Sequence, residues 1–236
     1  MPPDLKVSVI MPVFNERNTL AEVVGQVVQQ PCVAELIAVD DHSTDGSREV
    51  LRELAAKYPY LRPLYHPENR GKGAALRTGI EHATGDIVLF QDADLEYDPA
   101  DYPRLIEPIG QGVADAVYGS RYIGQQGKQE AYFGQYYANR FLTLLSNFLS
   151  GLALTDMETC YKAIRREVIQ KITIEEDRFG VEPEVTAKLA ALRARFIEVP
   201  ISYTGRSHSA GKKIGWKDGI AAIGCILKYS RRPGRS

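Results

Sequence analysis

The chain has 236 residues, 44% hydrophobic and 25% charged, with a formal net charge of −1. That length suits one large domain with a sizeable core, and the near-zero charge excludes a general nucleic-acid binder. Three scattered cysteines, Cys32, Cys160 and Cys225, with no CxxC pair, exclude a disulfide framework and a structural zinc site and point to a reducing compartment. The first residues lack signal-peptide architecture, and no apolar run is long enough to span a bilayer. The expectation is a protein that is soluble or lies on a membrane surface.

Residues 7–13 read as a strand, followed by the loop Phe14-Asn15-Glu16-Arg17-Asn18. Asn18 or Thr19 caps a helix to about residue 30, with Leu20, Val23, Val24, Val27 and Val28 at helical spacing. A second strand, 35–41, ends in Asp40 and Asp41. A polar loop follows, and Thr44 or Asp45 caps a helix to about Tyr58. A short strand at 61–65 leads to Asn69-Arg70-Gly71-Lys72-Gly73, which opens a helix over 74–83. Residues 87–90 are an apolar run that reads as a strand buried on both faces. The alternation of strand and helix over the first hundred residues predicts a mainly parallel sheet. The second half reads as a helix at 103–110, a strand at 115–119 and a Gly, Gln and Lys loop at 124–128. A helix at 132–154, a strand at 157–164 and helices at 165–172 and 182–192 come next. A strand at 196–203, an amphipathic helix at 216–229 and a basic tail complete the chain.

Chemistry concentrates where 87–90 runs into Gln91-Asp92-Ala93-Asp94-Leu95-Glu96. Asp92 and Asp94, two residues apart in extended chain, point to one side, roughly 7 Å apart at Cα. Such a pair repels itself unless a cation sits between, and hard oxygens suit Mg²⁺ or Mn²⁺. Asn15 and Glu16, Asp40 and Asp41, and Asp92 and Asp94 would line one sheet edge. Ligands of open α/β sheets bind beyond such carboxyl ends.

Six segments in order carry a resemblance. They are 9–16 (Val-Ile-Met-Pro-Val-Phe-Asn-Glu), 39–47 (Val-Asp-Asp-His-Ser-Thr-Asp-Gly-Ser), 69–75 (Asn-Arg-Gly-Lys-Gly-Ala-Ala), 92–95 (Asp-Ala-Asp-Leu), 119–122 (Gly-Ser-Arg-Tyr), and 198–201 (Glu-Val-Pro-Ile) with Arg206 and Lys212. Over residues 7–229 the chain resembles the GT-A-fold family 2 glycosyltransferases, and within them the polyprenyl-phosphate hexosyltransferases. The resemblance implies an α/β, Rossmann-like GT-A fold: a mainly parallel central sheet flanked by helices, with a C-terminal amphipathic helical segment. It implies one domain over 1–230, with a nucleotide-sugar half at 7–118 and an acceptor half with a mobile basic loop at 119–230, then a basic tail at 231–236.

The roles it implies are residue by residue. Pro12, Phe14 and Glu16, with Val39 and Asp41, meet the base and ribose. Phe14 stands where relatives often have Tyr, and His42 stands where they usually have Gly. Lys72 belongs to the nucleotide-sugar site. Asp92, Ala93 and Asp94 hold metal and diphosphate, with Glu96 either a further ligand or a cap. Arg121 is a donor-side arginine. Arg206 and Lys212 are a phosphate-neutralising pair flanked by Gly205 and Gly211. The implied cofactor is Mg²⁺ or Mn²⁺, and the donor is a UDP- or GDP-hexose, glucose or mannose.

A polyprenyl phosphate is already ionised near neutral pH, so it needs cations rather than a base. Arg140, helped by Arg121, is the candidate for that phosphate. A hydroxyl acceptor would need a base, for which Asp156 is the candidate. A non-catalytic sugar-nucleotide binding module is the third reading. Aromatic and leucine residues over 132–149 and the 216–229 helix suit an interfacial surface. Residues 206–236 hold eight Lys or Arg against one acid, Asp218. The expected setting is peripheral, on the cytoplasmic face of the membrane, by direct contact or through a membrane-protein partner, in cell-envelope glycan synthesis.

Overall fold

The structure is a computed structural model that describes residues 5–124, 133–205 and 216–230. Its strands are β1 (Val7–Val13), β2 (Val33–Asp40), β3 (Leu61–Tyr65), β4 (Ile87–Phe90), β5 (Ala116–Ser120), β6 (Lys162–Arg165) and β7 (Phe196–Pro200). Helices are α1 (Leu20–Val28), α2 (Ser47–Lys57), α3 (Lys72–His82), α4 (Tyr102–Gly110), α5 (Phe133–Ser150), α6 (Arg166–Ile169), α7 (Val181–Ala191) and α8 (Trp216–Tyr229). A 3-10 turn, Pro99–Asp101, precedes α4. The strands form one sheet in the order β3-β2-β1-β4-β6-β5-β7. Every pairing is parallel except those of β6, which is antiparallel to β4 and β5.

The expected parallel sheet follows from burial on both faces. Val7, Val9, Ile10, Met11 and Val13 of β1, with Leu36, Ile37, Ala38 and Val39 of β2, are fully buried. Continuous apolar strands of this kind require helices on both sides. Register brings the strand ends level: Pro12 lies beside Val39, Val13 beside Asp40, and Ile10 beside Phe90. The loops after β1, β2 and β4 therefore leave the sheet along one edge.

Of the element boundaries that differ from expectation, two have identifiable reasons. β6 begins at Lys162 instead of residue 157, because the buried Lys162 ammonium donates back to the carbonyls of Met157 (3.0 Å) and Thr159, curling 157–161 into a turn. α3 begins at Lys72, two residues early, because Gly71 (φ +98°) turns the chain into the helix. A Cβ on Gly71 would stand 2.4 Å from the Asp177 carbonyl oxygen, and one on Gly73 would stand 2.0 Å from that of Glu176. The start of α3 thus lies directly on the 176–177 backbone, a packing open only to glycine.

Candidate active site

Asp92 and Asp94 leave β4 into the cleft at the shared edge, and the backbone behind them is held rigidly. Gln91, fully buried, accepts from the hydroxyls of Tyr102 (2.6 Å) and Tyr161 (2.8 Å) and donates to the Asp92 carbonyl at 2.9 Å. Asp94 Oδ1 accepts from the Glu96 N–H at 3.0 Å, closing a tight turn. Glu96 Oε2 accepts from the Tyr203 hydroxyl at 2.9 Å. Among the described residues, no three His, Cys, Asp or Glu side chains gather as a metal cage. Two half-exposed carboxylates at a strand end nevertheless fit a divalent ion that takes most of its shell from substrate phosphates and water.

The loops after β1 and β2 interlock beside this pair. Asn15, in the left-handed region at φ 52°, accepts from Thr44 N–H at 2.8 Å, and its own N–H donates to Ser43 Oγ at 3.0 Å. Glu16 N–H donates to Ser47 Oγ at 2.8 Å. The Thr19 hydroxyl caps no helix N–H. It lies 3.0 Å from Glu16 Oε2 and 2.9 Å from the Ala93 carbonyl, tying the first loop to the Asp-Ala-Asp segment. Pro12 and Phe14 are half-buried at the cleft, whereas the Val39 and Ala93 side chains are in the core. Asp41 is also buried. Its oxygens accept from His66 Nδ1 (2.7 Å), Arg70 N–H (2.9 Å) and Gly71 N–H (2.6 Å), so this carboxylate shapes the loop that delivers Lys72. His42 has φ 62°, which explains why glycine suits that position.

Lys72 is the centre of a half-buried ionic cluster. Its Nζ lies 2.8 Å from Asp92 Oδ1 and 3.0 Å from Glu182 Oε1. Burial alone would raise the Asp92 carboxyl pKa, but Lys72 outweighs it and the net shift is downward. Burial likewise opposes the Lys72 charge, and Asp92, Cys160 and Glu182 overcome it, so its pKa rises. Glu158 and Lys162 complete the cluster. Burial, then the nearby Glu182 charge, push Glu158 up to about 8. Sequence reasoning missed Glu182, Glu158 and Lys162. Glu182 and Glu184 flank Pro183 in the first turn of α7, where acids ordinarily complement the helix dipole. The available signal was that these acids stand in an otherwise apolar stretch.

On the other side of the cleft, Arg121 at the end of β5 forms a bidentate pair with Asp156, Nε to Oδ2 and Nη2 to Oδ1, both at 2.7 Å. Asp156 is fully buried, and Arg121 is 6% exposed beneath the ring of Tyr203. Glu198 of β7 accepts from the Thr155 and Asp156 N–H groups at 2.7 and 3.0 Å. Arg140 of α5 donates to the Thr155 carbonyl at 3.1 Å. Arg121 and Arg140 thus converge on one turn. Arg206 and Lys212 lie outside the described residues, as do Lys213, Arg231, Arg232 and the Trp216 side chain.

A mostly parallel seven-stranded sheet with helices on its faces places the chain in the GT-A class of folds. Glucosyl-3-phosphoglycerate synthase from Mycobacterium tuberculosis, solved with Mn²⁺, UDP and phosphoglyceric acid, superposes with a TM-score of 0.73 at 21% identity. The match covers 98% of this chain and 80% of that one. The chain belongs to glycosyl transferase family 2, whose pattern matches residues 8–173. It is 30% identical over 219 residues to the dolichol-phosphate mannosyltransferase of Pyrococcus furiosus, covering 89% of this chain and 60% of that protein. It is 33% identical over 213 residues to the undecaprenyl-phosphate 4-deoxy-4-formamido-L-arabinose transferase of Edwardsiella ictaluri, covering 87% of this chain and 62% of the relative. The chain therefore spans about three-fifths of the length of these two relatives. No helix among the described residues is long and apolar enough to cross a membrane.

Proposed function

We propose that the chain transfers a hexose from a UDP- or GDP-sugar to a polyprenyl phosphate, inverting the anomeric configuration, with Mg²⁺ or Mn²⁺ held by Asp94 and Asp92. The observation that carries this reading is the sheet edge where the loops bearing Glu16, Asp92 and Asp94 leave the strands, with Lys72 paired to Asp92 and with Arg121 and Arg140 bonded to the 155–156 turn. The names of the two relatives, both polyprenyl-phosphate sugar transferases, support the acceptor class. A bound divalent ion would supply charge stabilisation for the departing diphosphate. Lys72 holds Asp92 in place and adds positive charge to the same region. Glu16 and Phe14 position the nucleoside, and Arg206 and Lys212 neutralise the diphosphate. An acceptor phosphate oxygen then forms the new bond to the anomeric carbon as the nucleoside diphosphate leaves.

The bidentate pairing of Asp156 with Arg121 supports an acceptor that arrives ionised, since this carboxylate is committed to a guanidinium. Arg140, half-buried and bonded to the same turn, is the group that draws the acceptor phosphate in. On α5, Tyr137, Phe141, Leu144 and Phe148 are exposed along one stripe, and Ile220 and Leu227 are exposed on the neighbouring α8. Such a surface suits peripheral contact with the bilayer that holds the acceptor, on its cytoplasmic face, with or without a membrane-protein partner.

The test is incubation with Mn²⁺ or Mg²⁺, a short-chain polyprenyl phosphate and labelled UDP-glucose or GDP-mannose. Label moving into the organic phase is the expected outcome. No transfer from either donor, with the protein folded, overturns the reading.

A further inference from the structure

Buried polar atoms in folded proteins almost always find a hydrogen-bond partner. Here Glu158 Oε1, Thr159 Oγ1 and Glu182 Oε2 are buried with none among the described residues, and two of the three are carboxyl oxygens able to accept from a donor. They are not dispersed. Glu182 shares Lys72 with Asp92, at 3.0 and 2.8 Å, and Glu158 lies in the turn that curls around Lys162 and ends at Cys160 beside Asp92. Glu182 is 8% exposed and Thr159 fully buried, whereas the Asp92 side chain, 26% exposed, opens toward the cleft.

We infer that Glu158 and Glu182 form the recess that reads the hydroxyl groups of the donor hexose, with Glu158 as a specificity-determining side chain. This rests on the nucleotide-sugar reading given above. The orphaned oxygens select the ligand class: a neutral ligand rich in O–H donors satisfies them. Glu182 shares Lys72 with Asp92, so this recess lies beside the place of a hexose whose diphosphate is held at Asp92 and Asp94.

Calorimetry in the presence of Mn²⁺ tests this with UDP, UDP-glucose, GDP and GDP-mannose against wild type, Glu158→Gln and Glu158→Ala. The expected result is about a ten-fold loss of sugar-nucleotide affinity in both variants. Affinity for the bare diphosphate should change less than about two-fold. On the wild type itself, donors carrying a deoxy-hexose should show a comparable loss at one position, and that loss should vanish in Glu158→Gln. Thermal unfolding of each variant is measured alongside. Equal weakening of bare diphosphate and sugar nucleotide, or no discrimination among deoxy donors by the wild type, overturns the recess and leaves the transferase reading intact. Failure of all four nucleotides to bind the folded wild type overturns both.

Discussion

Asp92 and Asp94 are two residues apart, yet the fold gives them different neighbours. Asp92 is gripped by Lys72, whereas Asp94 receives the Glu96 N–H in a turn. Asp94 is accordingly the principal metal-binding candidate, and Asp92 the one nearer the sugar. Asp94→Ala should lower metal-dependent transfer by about 10²-fold or more, with the circular-dichroism melt unchanged. Full activity in that variant would remove the metal role. His42 offers a stability test at the same scale. An L-residue at φ 62° carries strain, so His42→Gly should stabilise the fold by about 1 kcal/mol in denaturant titration. A loss of stability would mean that the imidazole makes a compensating contact.

At the scale of elements, the site depends on how closely α3 lies against the 176–177 backbone. Gly73→Ala places a methyl 2.0 Å from the Glu176 oxygen, which must displace α3 and with it Lys72. The expected cost is about 3 kcal/mol of stability, together with weaker donor binding. Unchanged values for both would show that the loop yields freely. The α5 stripe makes a separate prediction. Phe141 and Phe148 are 57% and 77% exposed, so Phe141→Glu with Phe148→Glu should leave the melting temperature nearly unchanged. Sedimentation with anionic vesicles should fall by about ten-fold. The order of strands and helices was legible in the sequence, because period and punctuation are local properties. The start of β6 was not, because the turn before it is made by a buried ammonium whose surroundings come from α7 and β5.

Across the whole molecule, Glu158, half-buried with one carboxyl oxygen enclosed, gives stability a definite pH slope. Its folded pKa, about 8, is raised from the ordinary 4.5, so the folded state keeps a proton that the unfolded chain has released. Unfolding is therefore increasingly favoured as pH rises from about 4.5 to about 8, and the slope flattens beyond. Glu158→Gln should flatten that window in urea titrations, and an unaltered slope would contradict it. Asp115 acts in the opposite sense. Hydrogen bonds from Arg195 hold it down to about 2, a contribution present above the ordinary aspartate value of 3.8 and lost as pH falls through about 2. Arg195 is 55% exposed, so solvent screening keeps that contribution small.

By itself the sequence determined the alternating α/β architecture, the parallel sheet and the acids that mark its carboxyl edge. These follow from apolar periodicity and from where polar residues interrupt it. The resemblance in its motifs added the family and a set of expected roles. Only the tertiary structure decided how those residues are paired. Lys72 joins Asp92 to Glu182, Arg121 neutralises Asp156, Asp41 is spent on the loop before α3, and Gln91 is clamped by Tyr102 and Tyr161. Most of these contacts join segments far apart in the chain. The same acid reads identically in sequence whether it faces water or a buried cation, and packing alone sets which neighbour it meets.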